Sequence, residues 1–333
     1  MARITQRGSG NFPGDSDSGL VLPMPSKLWT PGQTTAVAAN YSRSYERAPE
    51  KAHALGGQFY PNWQEDAAHI GQVSGQGLGG GAAIMAHLSP STEAETNRIM
   101  ALQLVHGTDD KQIAHIAKSA EHAEIAKAAV GRRTGAQRSG DTAAVERENA
   151  IIQKHGALSA KSRSKAGLTG TPLSKQSSSA IMKAANVMRG EYEGDPLATL
   201  GSRKIRDFGH LIHDPTGYGR APIDTHYHDA GLDRADIPYE AERGLSAAGR
   251  YESFQNAHAM ARNEFGDISH GAFMGAIWYH HQMRKAIENP SSLRSRKAAE
   301  TQLANYQSNP RLSHFMPTTH GLLPSLGKIP TGR

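Results

Sequence analysis

The segment Ile223-Asp-Thr-His-Tyr-His-Asp229 is flanked on both sides by sequence patterns typical of helices. Before it, residues 202–213 are predicted to form a helix that stops ahead of Pro215, because the residue before a proline disfavours helical backbone. After it, residues 246–265 and 269–288 repeat apolar side chains at helical spacing. Alternating apolar and polar residues, which indicate strands, are nearly absent. The sequence therefore predicts an all-α fold.

The predicted helices carry apolar stripes that identify a candidate core. The stripe of 246–265 contains Tyr251, Phe254, Ala257, His258 and Ala261. In 269–288, the corresponding residues are Phe273, Ile277 and Tyr279, with Trp278 near the centre of the helix. Four more helices are predicted over 46–70, 92–105, 111–130 and 178–189.

Composition divides the chain into five segments. Residues 1–45, with four prolines among Gly and Ser, predict an extended N-terminal arm. Residues 46–110 and 177–290 are the first and second parts of a helical core. Between them, 111–176 is a basic insertion, predicted to be helical at first and only patchily helical from 131 onwards. Residues 291–333 form a basic C-terminal tail.

The absence of cysteine among the 333 residues limits the chemistry of the chain. It excludes disulfides, thiolate zinc sites, iron–sulfur clusters and a cysteine nucleophile. No apolar run approaches the roughly 20 residues that cross a bilayer. We therefore expect no cofactor and no membrane partner.

Positive charge is concentrated outside the segment with the most informative motifs. Residues 111–175 contain 12 Lys/Arg against 5 Asp/Glu, and 291–333 contain 6 against 1, whereas 176–290 contain 12 against 15. Basic appendages on an acidic core are typical of arms that touch nucleic acid or an acidic partner, although a solvated loop is an equal alternative. The candidate nucleic-acid-binding residues are Arg132, Arg133, Arg138, Lys161, Arg163 and Lys165, with Lys204 and Arg206 in the core.

Several segments, in order, resemble the helix-hairpin-helix, or endonuclease III-like, superfamily of DNA glycosylases. Residues 82–90, Ala-Ala-Ile-Met-Ala-His-Leu-Ser-Pro, are similar to the family's early buried helix. Lys204-Ile-Arg-Asp-Phe-Gly-His-Leu-Ile212 is similar to a later helix, and Ile223-Asp-Thr-His226 to the family's Val-Asp-Thr-His. The helix from Phe273 to Arg284 resembles the closing helix. The chain looks closer still to uncharacterised proteins of phages that infect actinobacteria.

The resemblance implies a glycosylase-like helical core in which Asp224 is the catalytic carboxylate, with His226 beside it as a second candidate. Base excision uses such an anion to stabilise an oxocarbenium-like state or to activate a nucleophile. An alternative is that Asp224 is a helix N-cap, since Asp-Thr is a common helix start. Both roles are compatible.

The chain departs from the glycosylase pattern just before this carboxylate. The family places a Leu-Pro-Gly-Val-Gly hairpin, whose amides hold a DNA phosphate, about 20 residues before the Asp. Here residues 215–222 alone separate the preceding helix from Ile223, which is too short for a hairpin and a helix. The catalytic Lys of bifunctional members belongs to the same missing stretch.

Other motifs each allow two interpretations. The imidazoles of His210, His213, His226 and His228, with Asp214 and Asp229, make a metal site conceivable, but their spacing matches no strong metal motif and none is predicted. Residues 71–81, with six glycines, are either a phosphate-binding helix start or, as we predict, a flexible linker. Trp63 and Trp278 either stack on a base or belong to the core.

Two functions follow as expectations. The first is a phage virion-associated structural protein, located in the virion or the infected host cytoplasm, whose arms bind other phage structural proteins or DNA. The second is an active DNA N-glycosylase-type hydrolase that acts on a base or modified base through Asp224.

Overall fold

The computed structural model describes residues 29–90, 94–233, 245 and 248–288. Across these residues it contains eleven α-helices and no strand, so the predicted all-α class is confirmed. The helices are α1 Pro31–Glu46, α2 Glu50–Ser74, α3 Gly77–His87, α4 Ala94–Gly107, α5 Asp110–Ser139, α6 Thr142–Lys165, α7 Ser178–Met188, α8 Arg203–His213, α9 Thr225–Gly231, α10 Ala248–Asn263 and α11 His270–Glu288. The helices predicted over 178–189, 202–213, 246–265 and 269–288 are confirmed to within two residues at each end. No helix in these ranges is long and apolar enough to cross a membrane.

The described residues form two compact units. Unit 1 contains the described residues of the ranges Met1–Glu65 and Ser202–Glu300, and unit 2 contains those of Asp66–Gly201. The division falls inside α2, so the segment predicted as the first part of one core contributes to both units. Helices α5 and α6 of the predicted insertion share unit 2 with α3, α4 and α7.

The core of unit 1 is aromatic. Tyr41 of α1 stacks on Tyr227 of α9 with ring centroids 4.4 Å apart, and Trp29 meets Phe254 edge-on at 4.5 Å. All five residues of the stripe predicted for α10 are buried, which confirms that stripe. Phe273 in α11 is also buried, as predicted.

The prediction of an extended arm over 1–45 is wrong for the residues from Pro31 onwards, while residues 1–28 lie outside the described part. Pro31 occupies the first turn of α1, where its missing N–H has no helical partner to lose. Thr30 and Gln33 form a reciprocal capping box in front of it. The helix then buries Val37 and Tyr41 in unit 1.

Helices α2 and α11 cross within unit 1 at two glycines. A Cβ atom on Gly56 would lie 2.6 Å from the carbonyl carbon of Gly275, and one on Gly275 would lie 2.7 Å from the carbonyl oxygen of Gly56. Because real Cβ atoms do not approach other atoms so closely, the crossing excludes every larger residue at these positions.

The prediction of a flexible linker over 71–81 is wrong. Gly71 lies in the last turns of α2, and α3 starts at Gly77. A Cβ on Gly71 would collide with the carbonyl group of Gly77, and one on Gly81 with the carbonyl oxygen of Ala67. These glycines therefore allow two helices of unit 2 to approach closely, a role that composition alone does not reveal.

Helices α5 and α6 form a long hairpin in unit 2. Gly140 adopts the left-handed conformation (φ 74°) that ends α5, and Asp141 then caps α6 by accepting a 2.9 Å hydrogen bond from the Ala144 amide. The prediction of patchy helix after residue 131 is wrong up to Lys165, because abundant alanine outweighs the isolated helical glycines. The predicted basic tail, 291–333, lies outside the described residues.

Candidate functional site

Asp224 is the N-cap of α9. Its Oδ1 accepts a 2.8 Å hydrogen bond from the backbone N–H of Tyr227, and its Oδ2 accepts one of 3.2 Å from the indole Nε1 of Trp278 in α11. The N-cap interpretation is thus confirmed. The side chain is half-buried rather than enclosed.

Aromatic and imidazole rings surround this carboxylate. The His226 ring lies 5.9 Å from Trp278 and perpendicular to it, and 6.0 Å from the ring of His281. Phe59 stacks at 6.0 Å on Trp278, which is itself half-buried. The structure therefore brings Asp224 and His226 together beside one indole. Trp63, in contrast, is 5% exposed and belongs to the core.

A second carboxylate, Asp207 of α8, is 3% exposed and anchors the region before α9. It accepts hydrogen bonds from the hydroxyl groups of Tyr218 (2.6 Å) and Tyr251 (2.7 Å). The Gln255 amide (2.9 Å) and the Arg220 guanidinium (3.1 Å) donate to it as well. Burial first, and then the Asp207 charge, raise the pKa of the Tyr251 phenol, which therefore keeps the proton that it donates.

The segment between α8 and α9 is fastened at both ends. The Asp214 carboxylate accepts a 2.8 Å bond from the Gly217 amide, and Tyr218 stacks on His210 at 5.1 Å. Arg220 bridges Asp207 to Glu252 in α10. The short connection between α8 and α9 is thus a tethered turn, and it fixes the position from which Asp224 starts α9.

The predicted histidine cluster is dispersed through unit 1. His210 faces Tyr218, His226 faces Trp278, and the fully buried His228 lies 3.0 Å from both Asp229 and the buried Arg250. Within the described ranges, no group of three or more His, Asp or Glu side chains is arranged to hold a metal ion.

A buried hydrogen-bond chain extends from α9 to the start of α11. The Tyr227 hydroxyl lies 2.7 Å from His258 Nδ1, and His258 Nε2 lies 2.9 Å from His270 Nδ1. Burial lowers the pKa of His258 well below its usual value, and His270 and Arg262 act in the same direction. The imidazole is therefore neutral at physiological pH and serves as an internal polar link in the core.

The candidate nucleic-acid-binding residues fall into two groups in different units. Lys204 and Arg206 are exposed on α8 in unit 1. In unit 2, the exposed residues are Arg132 and Arg138 on α5 and Lys161 and Lys165 on α6, and Arg133, half-buried, donates to Asn149 at 3.3 Å. Arg132 is engaged by Glu148 at 2.9 Å.

Arg163 requires a correction, because its guanidinium points into unit 2 rather than outwards. It donates to the Ser178 hydroxyl at 3.2 Å and to the backbone carbonyl groups of Leu173 and Ser174. Its side chain holds the base of the hairpin against the start of α7, and it is not available to a polyanion.

The sequence interpretation missed the Asp207 cluster. The available signal was that Asp207 precedes the apolar Leu211 by one helical turn and so shares its face. An acidic residue on an apolar helix face requires buried donors. Nothing in the sequence identified Tyr251 and Gln255 as those donors.

Comparison with known families gives one match. Residues 24–139, about a third of the chain, are similar to a family of unknown function, DUF7178. The matched range contains α1 to α5 and ends before α6 and Asp224. No curated protein and no solved structure matches the chain.

Proposed function

We propose that the protein is a minor structural protein associated with a phage virion, built on a DNA-glycosylase-like helical core, that binds neighbouring subunits or DNA. It would be found in the virion or in the cytoplasm of the infected host. The proposal assigns the helical units a scaffolding role and the α5–α6 hairpin a role in contacting partners.

The observation that carries this proposal is the exposure of α6. The helix has 24 residues, all of them described, and none is buried. Helices of globular proteins gain most of their stability by packing an apolar face. Ile151, Ile152 and Leu158 are only half-buried against α5. A helix of this length without a single buried residue is suited to contact another molecule.

The state of Asp224 supports the same proposal. Both carboxylate oxygens already serve a structural purpose, one as the cap of α9 and the other as acceptor for Trp278. The turn that precedes it is tethered through Asp207 and Arg220. This arrangement suits a scaffold, because every group named here stabilises the fold.

The test is mass spectrometry of gradient-purified virions. We expect peptides of this chain to co-sediment with the major capsid protein at a constant ratio across the particle peak. An abundant non-virion protein of the same lysate serves as the control for contamination. The proposal is contradicted if the chain is absent from the particles. It is also contradicted if the amount of the chain falls during gradient purification at the same rate as that of the control protein.

A second candidate is an active DNA N-glycosylase, and the half-buried position of Asp224 between Trp278 and His226 favours it. In this reaction, water adds to the sugar C1′ as the N-glycosidic bond breaks and the base leaves with a proton. An anion beside the sugar stabilises the developing positive charge.

The second candidate is tested with Asp224→Asn. Asparagine is as good an N-cap as aspartate, so the cap of α9 is retained while the anion and the acceptor for Trp278 are lost. Far-UV circular dichroism checks that the variant keeps its helices. We expect release of free base from phage DNA, measured by chromatography and mass spectrometry, to fall by about 100-fold or more. The matched control is Asp195→Asn in unit 2, which makes the same change at the N-cap of the short 3-10 helix Pro196–Thr199 and should keep full activity. Unchanged activity of Asp224→Asn, or none in the wild type, contradicts catalysis.

A further inference from the structure

Four basic residues lie along one face of α6: Arg147, Lys154, Lys161 and Lys165. Their spacings of seven, seven and four residues place them within about 40° of one another around the helix axis. All four are exposed. We call this set the α6 stripe; Arg147 and Lys154 were not among the candidates identified from the sequence.

The positive charge of the stripe is offset only at Arg147, which interacts electrostatically with Glu148. The acidic residues of α6 are Glu146 and Glu148, each about 100° around the helix from Arg147. Glu148 is engaged by Arg132 of α5. Among the described residues, no ion pair involves a member of the stripe. The charge therefore faces solvent.

The surface next to the stripe is made of small side chains. Ala143, Ala150 and Ala157 are exposed and lie on its flank, between about 40° and 80° from Arg147. Alanine side chains keep this flank low, so a bulky polyanion can approach within reach of the lysine ammonium groups. No aromatic, Asn or Gln side chain that would read base edges belongs to the stripe.

The dimensions of the stripe match a duplex. From Arg147 to Lys165 the helix extends about 27 Å. A DNA duplex of that length carries about 16 phosphate charges. Several phosphates of one duplex therefore lie within reach of the four flexible cationic side chains at once. A small anion or an isolated acidic side chain can pair with only one or two of them.

We propose that the α6 stripe binds the sugar–phosphate backbone of duplex DNA without selecting a base sequence. This inference deepens the proposed function by naming DNA as the partner of the hairpin. Such binding depends on the release of counterions from the duplex, so its affinity falls steeply with salt.

The test uses two triple variants of the full-length protein with the same change of charge. Lys154→Gln, Lys161→Gln and Lys165→Gln remove three charges from the stripe. Lys111→Gln, Lys118→Gln and Lys127→Gln remove three exposed charges from α5 in the same hairpin. Binding to a short labelled duplex is followed by fluorescence anisotropy from about 50 to 200 mM salt. Far-UV circular dichroism checks that both variants keep their helices.

For the stripe variant, the slope of log affinity against log salt should become shallower by about 2.7, since each phosphate contact contributes about 0.9. The same relation gives about an eightfold loss per contact at 100 mM salt, so the loss of three contacts should weaken Kd by about 500-fold. The α5 variant should retain the wild-type slope.

Three results would overturn the inference: equal losses in both variants, no loss in the stripe variant, or a strong preference between duplexes of unrelated sequence. Binding of the purified chain to DNA is measured without virions. A failure of the purified chain to bind DNA is therefore distinguishable from the absence of the protein from virions, which would contradict the proposed function.

Discussion

Replacing Asp207 with alanine is expected to lower the free energy of unfolding of unit 1 by about 3–5 kcal/mol, the usual cost of removing one partner from a buried charged network. The side chain is 3% exposed and accepts bonds from Tyr218, Tyr251, Gln255 and Arg220. Alanine removes the acceptor that these donors share. Arg220 keeps Glu252 and Gln255 keeps the Ala221 carbonyl oxygen, so the desolvation cost of a lost partner falls mainly on the two tyrosine hydroxyl groups.

The distribution of tryptophan makes this effect measurable. Trp29, Trp63 and Trp278 are the three tryptophans of the chain, and all lie in unit 1. Tryptophan fluorescence during urea unfolding therefore follows unit 1, whereas circular dichroism follows the helices of both units. Asp207→Ala should move the fluorescence midpoint to lower urea.

Two further variants test whether the loss of stability in Asp207→Ala comes from the hydrogen-bond network or from the removal of any acidic residue. Tyr251→Phe removes one donor and should cost about 1–2 kcal/mol, close to one hydrogen bond. Asp267→Ala removes an exposed carboxylate of the same unit and should change stability by less than about 0.5 kcal/mol. If Asp207→Ala resembles Asp267→Ala, the anchoring role of Asp207 is refuted.

Local patterns were sufficient to predict most of the helices. The stripe of α10 repeats at the helical period, and Pro215 limits the preceding helix, so both follow from neighbouring residues alone. The cap formed by Asp224 is equally local, because its amide partner lies three residues away. Each of these features depends on residues that are close together in the sequence.

Features that depend on distant partners were not predictable. The bond between Trp278 and Asp224 joins residues 54 positions apart, and that between Tyr251 and Asp207 joins residues 44 apart. The glycines of 71–81 were interpreted as flexible because composition does not reveal that a Cβ on Gly71 or Gly81 would collide with the backbone of the neighbouring helix. Arg163 was misplaced for the same reason, since its acceptors lie beyond the end of α6.

The adjacent glycines Gly56 and Gly57 in α2 are expected to respond to alanine in opposite directions. A Cβ on Gly56 would meet the backbone of Gly275 and Ala276 in α11, whereas one on Gly57 would meet nothing within 4 Å. Gly56→Ala forces two helix backbones apart and should destabilise unit 1 by about 3 kcal/mol, at the upper end of overpacking. Gly57→Ala should stabilise it by up to about 1 kcal/mol through helix propensity.

The two glycine variants have the same composition and differ by one position in the same helix, so each is the control for the other. Urea unfolding followed by tryptophan fluorescence should place their midpoints on opposite sides of the wild type. The physical reason is that backbone atoms, unlike the ends of long side chains, cannot move aside without displacing a whole helix. Equal stabilisation by both variants would mean that α2 and α11 do not cross at Gly56 and Gly275. A loss of stability confined to Gly56→Ala would establish that the crossing of α2 and α11 determines which residue position 56 tolerates. No local pattern in the sequence predicts this crossing.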